Sequence, residues 1–256
     1  MKNYFDLTGR VAMVTGASSG LGVQFANALG NQGAKLALVA RRKERLEEVK
    51  KDLESKGMEV FIQVCDVTDS KNVKEAVKNI EEHYGKIDIL VNNAGLGLGE
   101  PADTMSDETW DRMMKTNIYG VFNVAREVGS IMKKNNYGRI INLGSIHSRV
   151  AMPHSDLMTA YATTKGAVFM MTKALATEWA NYGITVNAVG PAYFESEMTQ
   201  DVLANEAFGQ VLQAYCPMGR AGKSGELDTA IIYFASEFSS YTTGQLLNVD
   251  GGWTAI

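Results

Sequence analysis

The feature that most constrains the fold is an alternation: seven short, mostly apolar runs are separated by longer, charge-rich stretches of helical period. The runs are Val11 to Thr15, Lys35 to Ala40, Glu59 to Cys65, Ile87 to Asn92, Gly138 to Leu143, Thr185 to Val189 and Gln245 to Val249. Apolar character held over so few residues belongs to strands buried on both faces, and the intervening helices are what cover those faces. A doubly wound α/β architecture follows, a parallel sheet of about seven strands with helices on both sides. In Arg42 to Lys56, Leu46, Val49 and Leu53 recur at three- and four-residue spacing, so one stripe meets the sheet, and Gly57 supplies a helix stop. Longer helices are expected over about Asp107 to Lys134 and Ala160 to Ala180.

No tandem repeat and no Pro/Ser/Gly linker divides the 256 residues, a length that one core can hold, so a single domain over 1–256 is expected. Residues 191–218 break the rhythm. This stretch is long, carries Met198, Phe208 and Tyr215, and opens on Pro191, which cannot continue a strand ladder; its size suits a substrate lid. A net charge of −4 offers no pull on nucleic acid or an anionic membrane. The apolar runs fall far short of the roughly 18 residues that a membrane span needs. Residues 1–10 lack the apolar core of a secretory signal, and a cytoplasmic location is expected. Cys65 and Cys216 form no CxxC pair, and with three scattered histidines neither a disulfide framework nor a metal site is suggested.

The first strand runs into Gly16-Ala-Ser18-Ser19-Gly20-Leu21-Gly22 and then a helical segment beginning near Val23. Such a turn directs unpaired N–H groups and the positive end of a helix dipole at one point, where a pyrophosphate can sit, and glycines keep the approach clear. The second strand ends Val39-Ala40-Arg41-Arg42. An acid there would bind the 2′-hydroxyl of NAD, whereas a guanidinium pairs with a 2′-phosphate. The expectation is NADP(H) over NAD(H); solvated roles for Arg41 and Arg42 would leave NAD(H) possible.

Tyr161 and Lys165 stand four apart at the start of a helix, so phenol and ammonium are neighbours, and a cation beside a phenol favours the phenolate. The spacing alone is common. Set beside TGxxxGxG at Thr15 to Gly22, Asn92-Asn93-Ala94-Gly95 after the fourth strand, Asn117, and Ser145 after the fifth, it resembles the short-chain dehydrogenase/reductase family over nearly the whole chain. That resemblance implies a Rossmann-type fold and an alcohol–carbonyl oxidoreductase acting on CH–OH groups. Tyr161 would exchange the substrate proton, Lys165 would lower its pKa and hold the nicotinamide ribose, and Ser145 would bind the substrate oxygen. Asn117 would position a water near the lysine. Asp66 and Val67 would meet the adenine, while Asn92, Asn93, Ala94 and Gly95 would line the ribose side. The segment holding Pro191, Tyr193 and Ser196 would approach the carboxamide, although Ala192 stands where a glycine is usual.

Ser145 lies sixteen residues before Tyr161 where thirteen is commoner, which leaves Ser148 as a rival; Asn142-Leu-Gly-Ser145, directly after the strand, favours Ser145 and an inserted loop over 146–160. That loop carries His147, Arg149 and His154, and Arg149 and His154 could favour a sugar-acid carboxylate. The chain is similar to the gluconate 5-dehydrogenase and 3-oxoacyl-carrier-protein reductase subgroups, which makes a sugar acid, a 3-oxoacyl thioester, or a steroid or other ketone the substrate choices. A non-catalytic NADP(H)-sensing protein is the alternative of another class. The resemblance also implies a homotetramer; Met113, Val121 and Val124 suit either that interface or the sheet.

Overall fold

The computed structural model describes residues 3–152, 157–196 and 199–255. Its strands are β1 (Val11–Thr15), β2 (Lys35–Ala40), β3 (Val60–Val64), β4 (Ile89–Asn92), β5 (Gly138–Leu143), β6 (Ile184–Pro191) and β7 (Leu246–Val249). They form one seven-stranded sheet in the order β3-β2-β1-β4-β5-β6-β7, and every pairing is parallel. The helices are α1 (Gly20–Asn31), α2 (Lys43–Ser55), α3 (Ser70–Tyr84), α4 (Asp107–Met114), α5 (Val121–Asn135), α6 (Thr159–Trp179), α7 (Gln200–Leu203), α8 (Glu206–Tyr215) and α9 (Asp228–Ala235). The Rossmann-type expectation holds.

Successive strand residues point to opposite faces, and the core divides accordingly. Ala12 and Val14 of β1 and Leu36 and Leu38 of β2 pack with Phe25, Leu29, Leu46 and Phe234 from α1, α2 and α9. Met13, Ala37 and Val39 pack instead with Val73, Ile80, Val124, Val128 and Trp179 from α3, α5 and α6. Both faces of the sheet are thereby dry, which is why its strands read as unbroken apolar runs.

Three boundaries differ from the sequence reading. First, α1 begins at Gly20 rather than near Val23, so the glycine-rich turn feeds directly into the helix's first turn. Second, β6 runs through Pro191, paired with Val249, where a break was expected. The N–H groups of Ala188 and Ala192 bond toward the β7 side, so the odd-numbered residues face β5, and β5 ends opposite Val189; the donor that Pro191 lacks had no partner to lose. Third, the long helix over 107–134 contains a π-helical segment, Lys115–Gly120, between α4 and α5. Met113, Val121 and Val124 are all buried within this chain, so that stripe serves the core rather than a partner.

Candidate active site

The order of the sheet reverses between β1 and β4, and ligands of such sheets bind outside the carboxyl ends of the strands at that point. A cavity of about 520 Å³ lies there, walled by the segments that leave the carboxyl ends of β1, β2, β3, β4, β5 and β6. The reversal is tied at its base by Thr15, whose hydroxyl accepts the N–H groups of Asn93 and Ala94 at 3.0 Å each, while Asn93 Nδ2 donates to Thr15 O at 2.9 Å.

At one end stand Gly16, Ser18, Ser19, Gly20, Leu21, Arg41 and Arg42. Gly16 has φ +67°, and a Cβ on Gly22 would run into the Gly16 carbonyl, so the turn closes on the helix only because both are glycine. Gly22 lies behind the cavity wall and holds the turn's shape. Ser19 precedes α1 without capping it; its hydroxyl instead accepts from Arg42 at 2.9 Å, and Ser18 Oγ accepts from the same guanidinium at 3.2 Å. One cation and two hydroxyls thus converge beside uncapped helix N–H groups, a donor set that fits phosphate oxygens. Arg41 lines the same end and is exposed. No carboxylate occupies the place of Ala40.

The middle of the wall contains Asp66, Val67, Asn93, Ala94 and Gly95. Asp66 is fixed by accepting the N–H and hydroxyl of Thr68. Asn92 departs from expectation: it is 2% exposed and donates to Val121 O at 2.8 Å, joining β4 to α5 away from the cavity.

The far end brings together Ser145, Tyr161, Lys165, Pro191 and Ser196. Ser145 caps the short 3-10 turn Ile146–Ser148, and its hydroxyl lies close enough to the Tyr161 phenol to favour the phenolate. Ser148 is turned back to accept the Ser145 N–H at 3.2 Å, which leaves Ser145 as the serine in the cavity wall. Lys165 is buried, donates to Leu143 O at 2.7 Å, and lies 5.6 Å from the centre of the Tyr161 ring. Burial pushes the Tyr161 phenol above its ordinary range, against the pull of the Ser145 hydrogen bond. Burial also lowers Lys165 to about 8. The expected lowering of the phenol by the ammonium is therefore not the dominant effect: desolvation outweighs it.

Asn117 sits in the π segment, 1% exposed. Its amide accepts from Leu96 N at 2.9 Å and donates to Leu96 O at 2.8 Å and to Thr164 Oγ1 at 3.1 Å. The side chain thus clamps the loop after β4 to α6. Tyr193 also departs from expectation, lining an adjoining cavity of about 420 Å³ rather than the main one. Arg149 is exposed, lies over the Phe169 ring at 5.2 Å from its centre, and does not line the cavity. His154 and Met198 lie outside the described residues.

Sequence reasoning missed Thr68, Leu96, Thr116 and Thr199, which also line the main cavity. Thr199 shares a 2.9 Å hydrogen bond with Ser196, and a hydroxyl three residues away was the only signal for it. Both cysteines are free and buried, and the described residues hold no cluster suited to a metal.

The sequence profile of the family described as enoyl-(acyl carrier protein) reductase matches residues 16–254. The gluconate 5-dehydrogenase of Gluconobacter oxydans is 40% identical over 98% of this chain and 96% of its own length. The 3-oxoacyl-[acyl-carrier-protein] reductase of Thermotoga maritima is 37% identical over 96% of this chain and 98% of its own. Among solved structures, a gluconate 5-dehydrogenase from Burkholderia cenocepacia in complex with NADP and tartrate superimposes with a TM-score of 0.95 at 38% identity, covering 99% of this chain and 98% of that one. With the switch-point cavity, the Ser145, Tyr161 and Lys165 group and matches of this length, the chain belongs to the short-chain dehydrogenase/reductase family of oxidoreductases.

Proposed function

We propose that the protein is an NADP(H)-dependent oxidoreductase that interconverts a secondary alcohol and a ketone on a sugar acid of the gluconate and 5-ketogluconate kind. The observation that carries this reading is the single cavity with a phosphate-suited donor set at one end and the Ser145, Tyr161 and Lys165 group at the other. The gluconate 5-dehydrogenase relatives support the sugar-acid substrate, and the NADP in the Burkholderia structure supports the cofactor.

When bound, the nicotinamide supplies or accepts hydride. Gly16, Ser18, Ser19, Gly20 and Leu21 would hold the pyrophosphate, with Arg42 and Ser18 on the 2′-phosphate and Arg41 beside it. Asp66 and Val67 would border the adenine, Asn93, Ala94 and Gly95 the ribose, and Pro191 and Ser196 the carboxamide. Gly22 supports the turn from behind. In the reducing direction Tyr161 gives its phenolic proton to the substrate oxygen, and the Ser145 hydroxyl holds that oxygen as charge develops. Lys165 stabilises the resulting tyrosinate once the phenol has lost its proton and binds the nicotinamide ribose. Asn117 supports the wall by fixing Leu96. Residues 191–218 act as a lid over the substrate end of one domain.

We further propose a homotetramer built on the outer faces of α5 and α6 and on the C-terminal strand. Phe122, Met170 and Leu247 are exposed there, with Tyr119 exposed in the π segment just before α5, a better basis than the buried Met113 stripe. Two free, buried cysteines accord with a reducing compartment such as the cytoplasm. No described helix is long and apolar enough to cross a membrane.

The reading is tested by following NADPH consumption with 5-ketogluconate, a 3-oxoacyl thioester and a steroid ketone. Turnover of the keto-acid in preference to the other two is the expected result. Preference for the thioester would reassign the protein to the 3-oxoacyl-carrier-protein reductases, and NADPH binding without any turnover would favour a sensor. Light scattering on the eluting protein should give four times the chain mass.

A further inference from the structure

Ser196 and Thr199 both line the main cavity, in the wall that also holds Ser145, Tyr161, Lys165 and Pro191. Their hydroxyl oxygens stand 2.9 Å apart, a distance that leaves open which of the two donates. A second bond decides it. Thr199 Oγ1 is also bonded to Phe194 O, and because a carbonyl only accepts, the single proton of the Thr199 hydroxyl goes there. In the bond between the two side chains Ser196 therefore donates and Thr199 accepts.

The carbonyl that starts this chain is held in place. Phe194 is 5% exposed, belongs to the core that holds Leu227 and Ile231, and is bridged to Gly222, whose N–H donates to Tyr193 O at 2.9 Å. Thr199, just before α7, is tied to Ser196 through the backbone as well, its N–H donating to Ser196 O at 3.1 Å. The turn thus fixes carbonyl, threonine hydroxyl and serine hydroxyl in one order.

What matters is the capacity left to Ser196. A hydroxyl has one proton and two lone pairs, so with its proton given to Thr199 the Ser196 oxygen meets a ligand as an acceptor only. It welcomes an N–H group and repels a carbonyl oxygen. A carboxamide offers both, on opposite sides of one carbon, and only one of its two orientations turns the NH2 toward an acceptor.

We propose that Thr199 is a positioning residue for the nicotinamide: by taking the Ser196 proton it makes Ser196 Oγ an acceptor that binds the NH2 of the carboxamide and turns away its oxygen. This rests on the reading above that Ser196 meets the carboxamide, and it adds the sense in which that group is held.

Calorimetric titration with NADP and with its acetylpyridine analogue, in which a methyl group replaces the NH2 while the carbonyl oxygen stays, tests the assignment. Wild-type protein should bind NADP about fivefold or more tighter than the analogue, which leaves the acceptor without its donor. Thr199→Val keeps the shape of the side chain and frees the Ser196 proton for the acetyl oxygen, so the two Kd values should come to within about twofold of each other; Thr199→Ser, which keeps the hydroxyl, should restore the wild-type ratio. The Tm of each variant reports on its fold, and should Thr199→Val fail to fold, the wild-type ratio and Thr199→Ala carry the comparison. A Thr199→Val protein that binds both dinucleotides more weakly at an unchanged ratio would overturn the proposal and leave Thr199 a brace of the turn, as would wild-type protein that binds the two alike; neither touches the carboxamide reading. Ser196→Ala addresses that reading itself: it should weaken NADP and bring the two Kd values together, and NADP binding at wild-type strength would overturn the carboxamide contact and this proposal with it.

Discussion

Lys165 is an ammonium in a place that disfavours charge. Its pKa falls from an ordinary 10.5 to about 8 through burial alone, while Leu143 O accepts a hydrogen bond from it. Between those two values the unfolded chain binds the proton that the folded one has released, so stability rises with pH across that window and the full penalty stands below it. Tyr161, with its phenol raised, acts in the opposite sense above pH 10. Lys165→Met should therefore raise Tm in neutral buffer, by about 2–4 °C for each kcal/mol recovered, and the gain should shrink toward nothing between pH 8 and 10.5. Turnover should be lost throughout. Thermal melts of both proteins across that range check the sign. The pairing of Tyr161 with Lys165 was legible in the spacing of four, and so was Ser145 in its place after a strand. The balance of charge was not, because desolvation depends on what the rest of the chain packs around a group, and no spacing records it.

Elements carry the cavity's shape through two local irregularities. The glycine-rich turn closes on α1 with Gly22 against the Gly16 carbonyl, so a single methyl group forces the turn open. Gly22→Ala should weaken NADPH binding by about tenfold or more while leaving the helical circular dichroism near wild type, since the helix gains propensity as the turn loses its fit. Unchanged affinity in a fluorescence titration would show that the turn tolerates the shift. The π segment at Lys115–Gly120 is the second irregularity, and it places the Asn117 amide against Leu96 and Thr164. Periodicity could not reveal it: one extra residue in a turn barely disturbs an apolar stripe, so the sequence read as one long helix. Strands were easier, since burial on both faces writes itself as an apolar run, and the ends shifted by only a residue or two. Pro191 was the exception, because a proline's cost depends on whether the missing N–H faces a neighbouring strand.

At the scale of the whole molecule, the cavity joins groups that lie far apart in sequence, from Ser18 to Ser196, and spans the sheet's reversal. The end proposed for the cofactor is braced by one residue reaching between elements: Arg42, at the start of α2, bridges the hydroxyls of Ser18 and Ser19. Arg42→Ala should lower the ratio of kcat/KM for NADPH over NADH by roughly tenfold or more, most of it in KM for NADPH. Equal effects on both cofactors would mean that Arg42 only braces the turn. The proposed catalysis turns most directly on the phenolic proton of Tyr161. Tyr161→Phe keeps the ring and removes that proton, and the absorbance of NADPH during reduction of 5-ketogluconate reads the consequence. The prediction is a fall in kcat of about 10²- to 10⁴-fold with NADPH affinity within about twofold of wild type. A variant that keeps more than about a tenth of wild-type kcat would contradict it and place the acid elsewhere.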